Sequence, residues 1–113
     1  MKNWTLRFRA VDKKNFDEVK TGIKSIETRA GTVKYQAIAV GDTLTFVCGQ
    51  DRVTKKVAKR FHWADIDSMV REIDLKKIMP SIGSVEEMQK VYLSYPNYER
   101  KIREHGILGF ELR

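Results

Sequence analysis

Lys24, Ser25, Glu27, Thr28 and Arg29 are crowded into the run GIKSIETRAG at positions 22–31. Each type can do chemistry. A lysine holds an anion as a point charge or, stripped of its proton, attacks a carbonyl. A glutamate moves protons. An arginine grips phosphate or carboxylate with a planar fork of donors. Together they suit either a polar ligand site or a small hydrolytic centre. On a strand, Ser25, Glu27 and Arg29 project to one face, and Lys24, Ile26 and Thr28 to the other. Lys24 follows the Gly22 turn, at the strand entrance, and is free to swing to either side. Glu27 and Arg29 can pair. On an open face such a pair contributes under ~1 kcal/mol. At the mouth of a barrel it becomes a rigid, charged reading head. The residue types alone leave both readings open.

Other constellations are sparser. In FHW, His62 stands between Phe61 and Trp63, with Arg60 beside them. These aromatic faces can stack a base, or cover the end of a barrel. Tyr35 lies in the loop GTVKYQAIAVGD. That loop either folds over the site, where Lys34 and Tyr35 engage phosphate and base, or runs along the surface. His105 precedes Gly106 and is expected to face helix-end carbonyls. No His, Cys and Asp spacing resembles a zinc site, and there is no phosphate loop or nucleophile elbow. No cofactor or metal is expected.

The chain has 113 residues and net charge +7, from 22 basic and 15 acidic residues. That length suits one domain, residues 1–113, with a core that needs no staple. The positive excess attracts polyanions, nucleic acid first among them, with salt-dependent affinity. The alternative is a merely solvated surface. The doublets Lys55-Lys56, Lys59-Arg60, Lys76-Lys77 and Arg100-Lys101 form one stripe or lie scattered. Cys48 is the single cysteine. It excludes an internal disulfide and points to a reducing compartment. MKNWTLRFRA lacks the apolar core and cleavage site of a signal peptide. No segment has the ~20 apolar residues of a membrane helix. A cytoplasmic monomer, free of membrane, is expected.

The elements that must hold these residues follow from periodicity. WTLRFRA alternates with period two, which makes positions 4–10 a half-buried strand. Asp12 and Gly22 bracket a short helix carrying Phe16 and Val19. Positions 24–29 read as a second strand. VGDTLTFVC gives a third, with Leu44, Phe46 and Cys48 on one face. GQD at 49–51 turns into a fourth, with Val53 and Val57 aligned. Ile66, Met69, Val70 and Ile73 mark an amphipathic helix. Ser84 and Glu87 form a capping box before another, striped by Val85, Met88, Val91 and Tyr92. YPNY stops it, and a short helix runs through Ile102 to His105. ILGFELR closes the chain as a strand. The fold class is α+β. With about five or six strands, a small, mostly antiparallel β-barrel with flanking helices is expected.

These residues resemble a known family. The run Gly22-Ile23-Lys24-Ser25-Ile26-Glu27-Thr28-Arg29, then Val40-Gly41-Asp42, then Tyr95-Pro96, then Gly106-Ile107-Leu108-Gly109-Phe110-Glu111-Leu112, is similar to the ASCH domain of the PUA-like superfamily. The resemblance spans nearly the whole chain in the right order. It implies a PUA-like barrel with helices around a cleft, and a signature strand placing Lys24, Glu27 and Arg29 in that cleft. It implies RNA binding, and for some members hydrolysis of N4-acetylcytidine or of RNA. The amidohydrolase branch has threonine where this chain has Glu27. It also needs a glutamate shortly before the helix that precedes Tyr-Pro. Here MPSIGSVEE has serine or isoleucine near that place, and Glu86 and Glu87 come later.

The sequence therefore points to an RNA- or nucleotide-binding domain whose basic cleft uses Lys24, Ser25, Glu27, Arg29, Tyr35, Arg60 and Trp63. The rival is a hydrolase in which Lys24 activates water or attacks and Glu27 shuttles the proton. A carboxylate at position 27 favours the ammonium form of its neighbour. Lys24 is thus expected to anchor a phosphate or carbonyl rather than act as a nucleophile.

Overall fold

Alternation of apolar and polar residues builds the sheet. The computed structural model describes residues 1–113. Five strands, β1 (Asn3–Arg7), β2 (Ile26–Ala30), β3 (Thr43–Cys48), β4 (Asp51–Trp63) and β5 (Ile107–Leu112), form one sheet in the order β1-β3-β4-β5-β2. β1 runs parallel to β3, and every other neighbouring pair is antiparallel. Six helices accompany them: α1 (Lys13–Thr21), α2 (Val33–Gln36), α3 (Ile66–Glu72), α4 (Leu75–Ile78), α5 (Val85–Leu93) and α6 (Tyr98–His105). No helix is long and apolar enough to cross a membrane.

The fold is α+β, but the sheet is mixed and does not close into a barrel. β4 is long enough to serve two partners, β3 along its first part and β5 along its second. The register slips between Val57 and Lys59, where the strand changes partner. A bulge of this kind bends a strand and increases its twist. The sheet curls there, bringing β2 back towards β1 without joining it. The hydrogen bonds from Phe8 N to Val47 O, and from Thr43 N to Lys2 O, turn residues 2, 4, 6 and 8 towards β3. Arg7 therefore presents its carbonyl to the gap. It accepts from the Arg29 guanidinium at 3.5 Å, so a side chain spans the place where strand pairing is missing.

Two apolar clusters hold this frame. The first joins Leu6, Leu44, Phe46, Cys48, Val57, Leu108 and Phe110 on one face of the sheet to Phe16 and Val19 of α1. Phe16 and Val19 are fully buried, which stabilises the helix–sheet packing by roughly 1.5–3 kcal/mol each. Gly22 ends α1 at φ +83°, a left-handed conformation that glycine adopts freely. The second cluster lies under α3–α6 and takes Ile26, Ala30, Trp63 and Ile107 from the sheet. β5 is an interior strand, between β4 and β2, and feeds both clusters from its two faces.

Local signals hold at most ends. The Ser84 hydroxyl accepts from Glu87 N, as the capping box predicts. Asp65 caps α3 through Ser68 N. Asp12 does not cap α1, because its carboxylate is taken by Arg9 Nε at 2.7 Å. β1 stops at Arg7, and Ala10 enters a 3-10 turn. α2 and α4, one turn each, fall where the sequence showed only loop.

Candidate functional site

Glu27 and Arg29 project from β2 into the gap facing β1, while Ile26, Thr28 and Ala30 turn towards the helical side. Lys24, just before the strand, swings to the side of Glu27. Its ammonium stands 3.4 Å from Glu27 Oε1, and both side chains are buried. Glu27 Oε2 accepts from Arg29 Nε at 3.2 Å and Nη2 at 3.1 Å. Glu27 Oε1 also accepts from Thr28 N at 3.1 Å. A carboxylate offers about four lone-pair sites, and three accept hydrogen bonds, while Lys24 forms an ion pair with Oε1. Glu27 therefore holds the two cations and has little capacity left for a ligand.

The cations are differently occupied. Lys24 Nζ donates to the carbonyl of Ile78, at the end of α4, and forms an ion pair with Glu27. An ammonium has three donors, so two are left without a hydrogen-bond acceptor in the chain. The Arg29 guanidinium lies 5.1 Å from the Phe8 ring and 5.7 Å from the Tyr35 ring, between two aromatic faces. Burial disfavours its charge, but the Coulombic attraction and hydrogen bonds of Glu27 more than offset this and hold it well above the ordinary range. It stays a cation, and with four of its five N–H groups on Glu27 and Arg7 O, one on Nη1 is left over.

These residues floor a cleft of about 190 Å³ in the gap between β1 and β2. Its far wall is made by tyrosines. Tyr92 sits on α5, Tyr95 follows that helix, and Tyr98 opens α6. Pro96 and Asn97 make the corner between the helices, with Asn97 at φ +60°, a conformation asparagine tolerates. Tyr92 and Tyr98 stack at 6.4 Å, and Tyr95 meets Tyr98 edge-on at 5.0 Å. Tyr92 is fully buried, its hydroxyl paired with Thr28 Oγ1. Tyr95 takes a hydrogen bond from Asn15 Nδ2 at 3.3 Å. Burial, then the nearby charges of Asp12 and Glu27, push the Tyr95 phenol up to about 12. Both hydroxyls are therefore protonated at neutral pH. The lining carries Arg7, Arg9, Lys24 and Arg29 against Asp12 and Glu27, so four cations face two carboxylates. The cleft has an excess of positive charge and of donors.

Of the residues expected at the site, the structure brings together Lys24, Glu27, Arg29 and Tyr35. Three lie elsewhere. Ser25 precedes the strand, with its N–H on Lys77 O and its carbonyl on Leu112 N. Arg60 turns to the loop before β3 and donates to the carbonyls of Ile38 and Gln36. Trp63 is buried, stacked on Phe61 at 5.1 Å, with its indole N–H on Glu72. It lies against Gly109, where a Cβ would meet the ring at 2.6 Å. Trp63 is thus a core residue and has no face free for a base. His62, rather than His105, engages the helix-end carbonyl, its Nε2 lying 2.8 Å from His105 O. No group of three or more His, Cys, Asp or Glu side chains is placed to hold a metal ion.

Sequence reasoning missed the tyrosine wall and the β1 end of the cleft. The signal for the wall was present in Tyr92, Tyr95 and Tyr98, an aromatic residue at every third position across a helix end. Arg7, Phe8, Arg9 and Asn15 carried no such signal, because only the curl of the sheet brings them to β2.

No protein-family profile matches the chain, and no curated protein does. Solved structures do share its fold. The crystal structure of hypothetical protein PH0355 superposes with a TM-score of 0.84 at 24% identity, over 100% of this chain and 98% of that one. The solution NMR structure of protein PF0455 from Pyrococcus furiosus does so with a TM-score of 0.75 at 23% identity, over 100% and 96%. At these identities the likeness concerns the fold alone.

Proposed function

We propose that the cleft binds a nucleotide unit, either within RNA or as a nucleotide-like small molecule. One observation carries this reading. Buried Glu27 pairs with both Lys24 and Arg29, and the two cations, each with N–H capacity unused within the chain, line a cleft walled by aromatic rings. Donors on the floor suit carbonyl or phosphate oxygens. Tyr35, Tyr95 and Tyr98 line the cleft with rings, the kind of surface on which bases are held. The positive excess suits the phosphate charge. Ordinary ligand pockets run to roughly 300–1,000 Å³, so a cleft of about 190 Å³ fits one base-sized group. The ASCH resemblance, a PUA-like domain gathering Lys24, Glu27 and Arg29, agrees with this reading. The lone Cys48, buried and unpaired, suits a reducing compartment, and we place the domain in the cytoplasm.

A hydrolase would need a group in the cleft with a free lone pair. Glu27 accepts three hydrogen bonds and is paired with two cations, which favours binding over catalysis. Calorimetric titration at low salt with nucleoside monophosphates and a mixed pool of single-stranded and structured RNA tests the reading. Binding should weaken as salt rises, and Arg29→Ala should weaken it at least roughly tenfold, as expected for a charged hydrogen-bonding group. No binding to any member of the panel at low salt would overturn it.

A further inference from the structure

A second cavity, of about 300 Å³, opens beside the cleft between α1 and the segment joining α4 to α5. The two share Asp12, Asn15 and Met79, so they are compartments of one groove. Their chemistry differs. The second is walled by Met79, Ile82 and Val91, with the Ser81 and Ser94 hydroxyls at its rim. Its charges are Lys14 against Asp12 and Glu18, so unlike the cleft it has no positive excess. Both carboxylates are engaged, Asp12 by Arg9 and Glu18 by Ser81.

From this continuity we infer that the ligand is a strand rather than a free mononucleotide, with a second base of the same single-stranded RNA lying in the neighbouring compartment. This rests on the reading of the cleft as a nucleotide site. A mixed wall of apolar side chains, an amide and two hydroxyl oxygens that can still accept suits a neutral, flat, hydrogen-bonding group. A phosphate inside would be repelled by Asp12 and Glu18. The internucleotide phosphate belongs at the junction instead, where Arg9 lines one compartment and Lys14 the other. Arg9 is half-exposed, and its guanidinium lies 5.2 Å from the Tyr95 ring. Asn15 stands at the same junction. One of its amide N–H groups goes to Tyr95, which leaves a donor and an acceptor for a base edge.

The test compares 5′-phosphorylated mononucleotides with the matching dinucleotides by calorimetry at fixed salt. Filling both compartments at once should tighten binding at least roughly tenfold, since the second contact is then intramolecular. Two variants localise the gain. Ser94→Trp fills the second compartment from an exposed position outside the cleft. Lys14→Glu reverses one of the two junction cations, and an acid in the first turn of α1 suits the helix dipole, so folding is kept. Each should bring the dinucleotide close to mononucleotide affinity and leave mononucleotide binding within about twofold, because neither side chain lines the cleft. Mononucleotides that bind while dinucleotides bind no tighter would overturn the inference and leave the single-nucleotide reading intact. So would a dinucleotide gain that both variants leave unchanged. Absence of binding by either class would remove both readings together.

Discussion

Lys24 Nζ stands 3.4 Å from Glu27 Oε1, and the two side chains expose only 3% and 4% of their surfaces. Arg29 completes the triad on the other carboxylate oxygen. A buried pair of this kind contributes little over an apolar pair of the same shape, but removing one member strands the rest. Glu27→Ala leaves an ammonium and a guanidinium without their carboxylate. We expect a loss of about 3–5 kcal/mol, read by urea denaturation. A loss below about 1 kcal/mol, the range of an exposed pair, would show that the triad is solvated in solution.

Arg29 acts through its shape as well as its charge. Its fork holds Glu27 with two N–H groups while its plane lies between Phe8 and Tyr35. A lysine has neither fork nor plane. Arg29→Lys should therefore weaken nucleotide binding nearly as much as Arg29→Ala, roughly tenfold if one charged hydrogen bond is lost. Full affinity in the lysine variant, measured by titration, would mean that charge alone suffices.

Acid stability should report on Asp42, far from the cleft in chemical role. Its buried carboxylate accepts from Lys2 N, then Trp4 Nε1, then Ala39 N, and these bonds hold it at about 2. The unfolded chain titrates near the ordinary value of ~3.9. The folded state thus prefers the carboxylate. Its contribution is complete above pH ~4 and is lost as pH falls towards 2. Asp42→Asn should lower the melting temperature at pH 7 and flatten the decline between pH 4 and 2. Melting curves by circular dichroism across that range check it, and parallel curves for the two proteins would refute it.

Much of this architecture was legible locally, and the exceptions share a cause. Leu44, Phe46 and Cys48 bury one face of β3 because a strand alternates, and Ser84 caps α5 because its hydroxyl reaches Glu87 N. Glu27 and Arg29 share a face because a strand alternates, whereas Lys24 joins them only because it precedes the strand and is held there by Ile78 O. The open, mixed sheet was not legible. Whether β1 pairs with β2 or with β3 depends on the bend in β4, which no segment encodes alone. Trp63 illustrates the same limit. Beside Arg60 it reads as a stacking platform, yet its ring lies on Gly109 of β5, a neighbour supplied by another strand. Arg60 is turned away by the carbonyls of Gln36 and Ile38.

Catalysis and binding make opposite demands on Lys24. A nucleophilic lysine must shed its proton, since an ammonium carries no lone pair. Here the Lys24 Nζ is tied to Ile78 O and lies 3.4 Å from Glu27 Oε1, so it is held by the chain rather than aimed for attack on a ligand carbonyl. Glu27 in turn accepts from Thr28 N and twice from Arg29 and is paired with Lys24, so it is poorly placed to take a proton from water. Arg29, the cation that could oppose the charge on Lys24, is itself neutralised by Glu27. We therefore expect no release of cytidine when the protein is incubated with N4-acetylcytidine, followed by chromatography over many hours. The same compound should compete for the cleft, because its carbonyls suit the free donors of Lys24 and Arg29. Lys24→Ala should weaken that competition without changing the absence of turnover. Turnover by the native chain that disappears in Lys24→Ala would reverse the assignment and make Lys24 the reacting group.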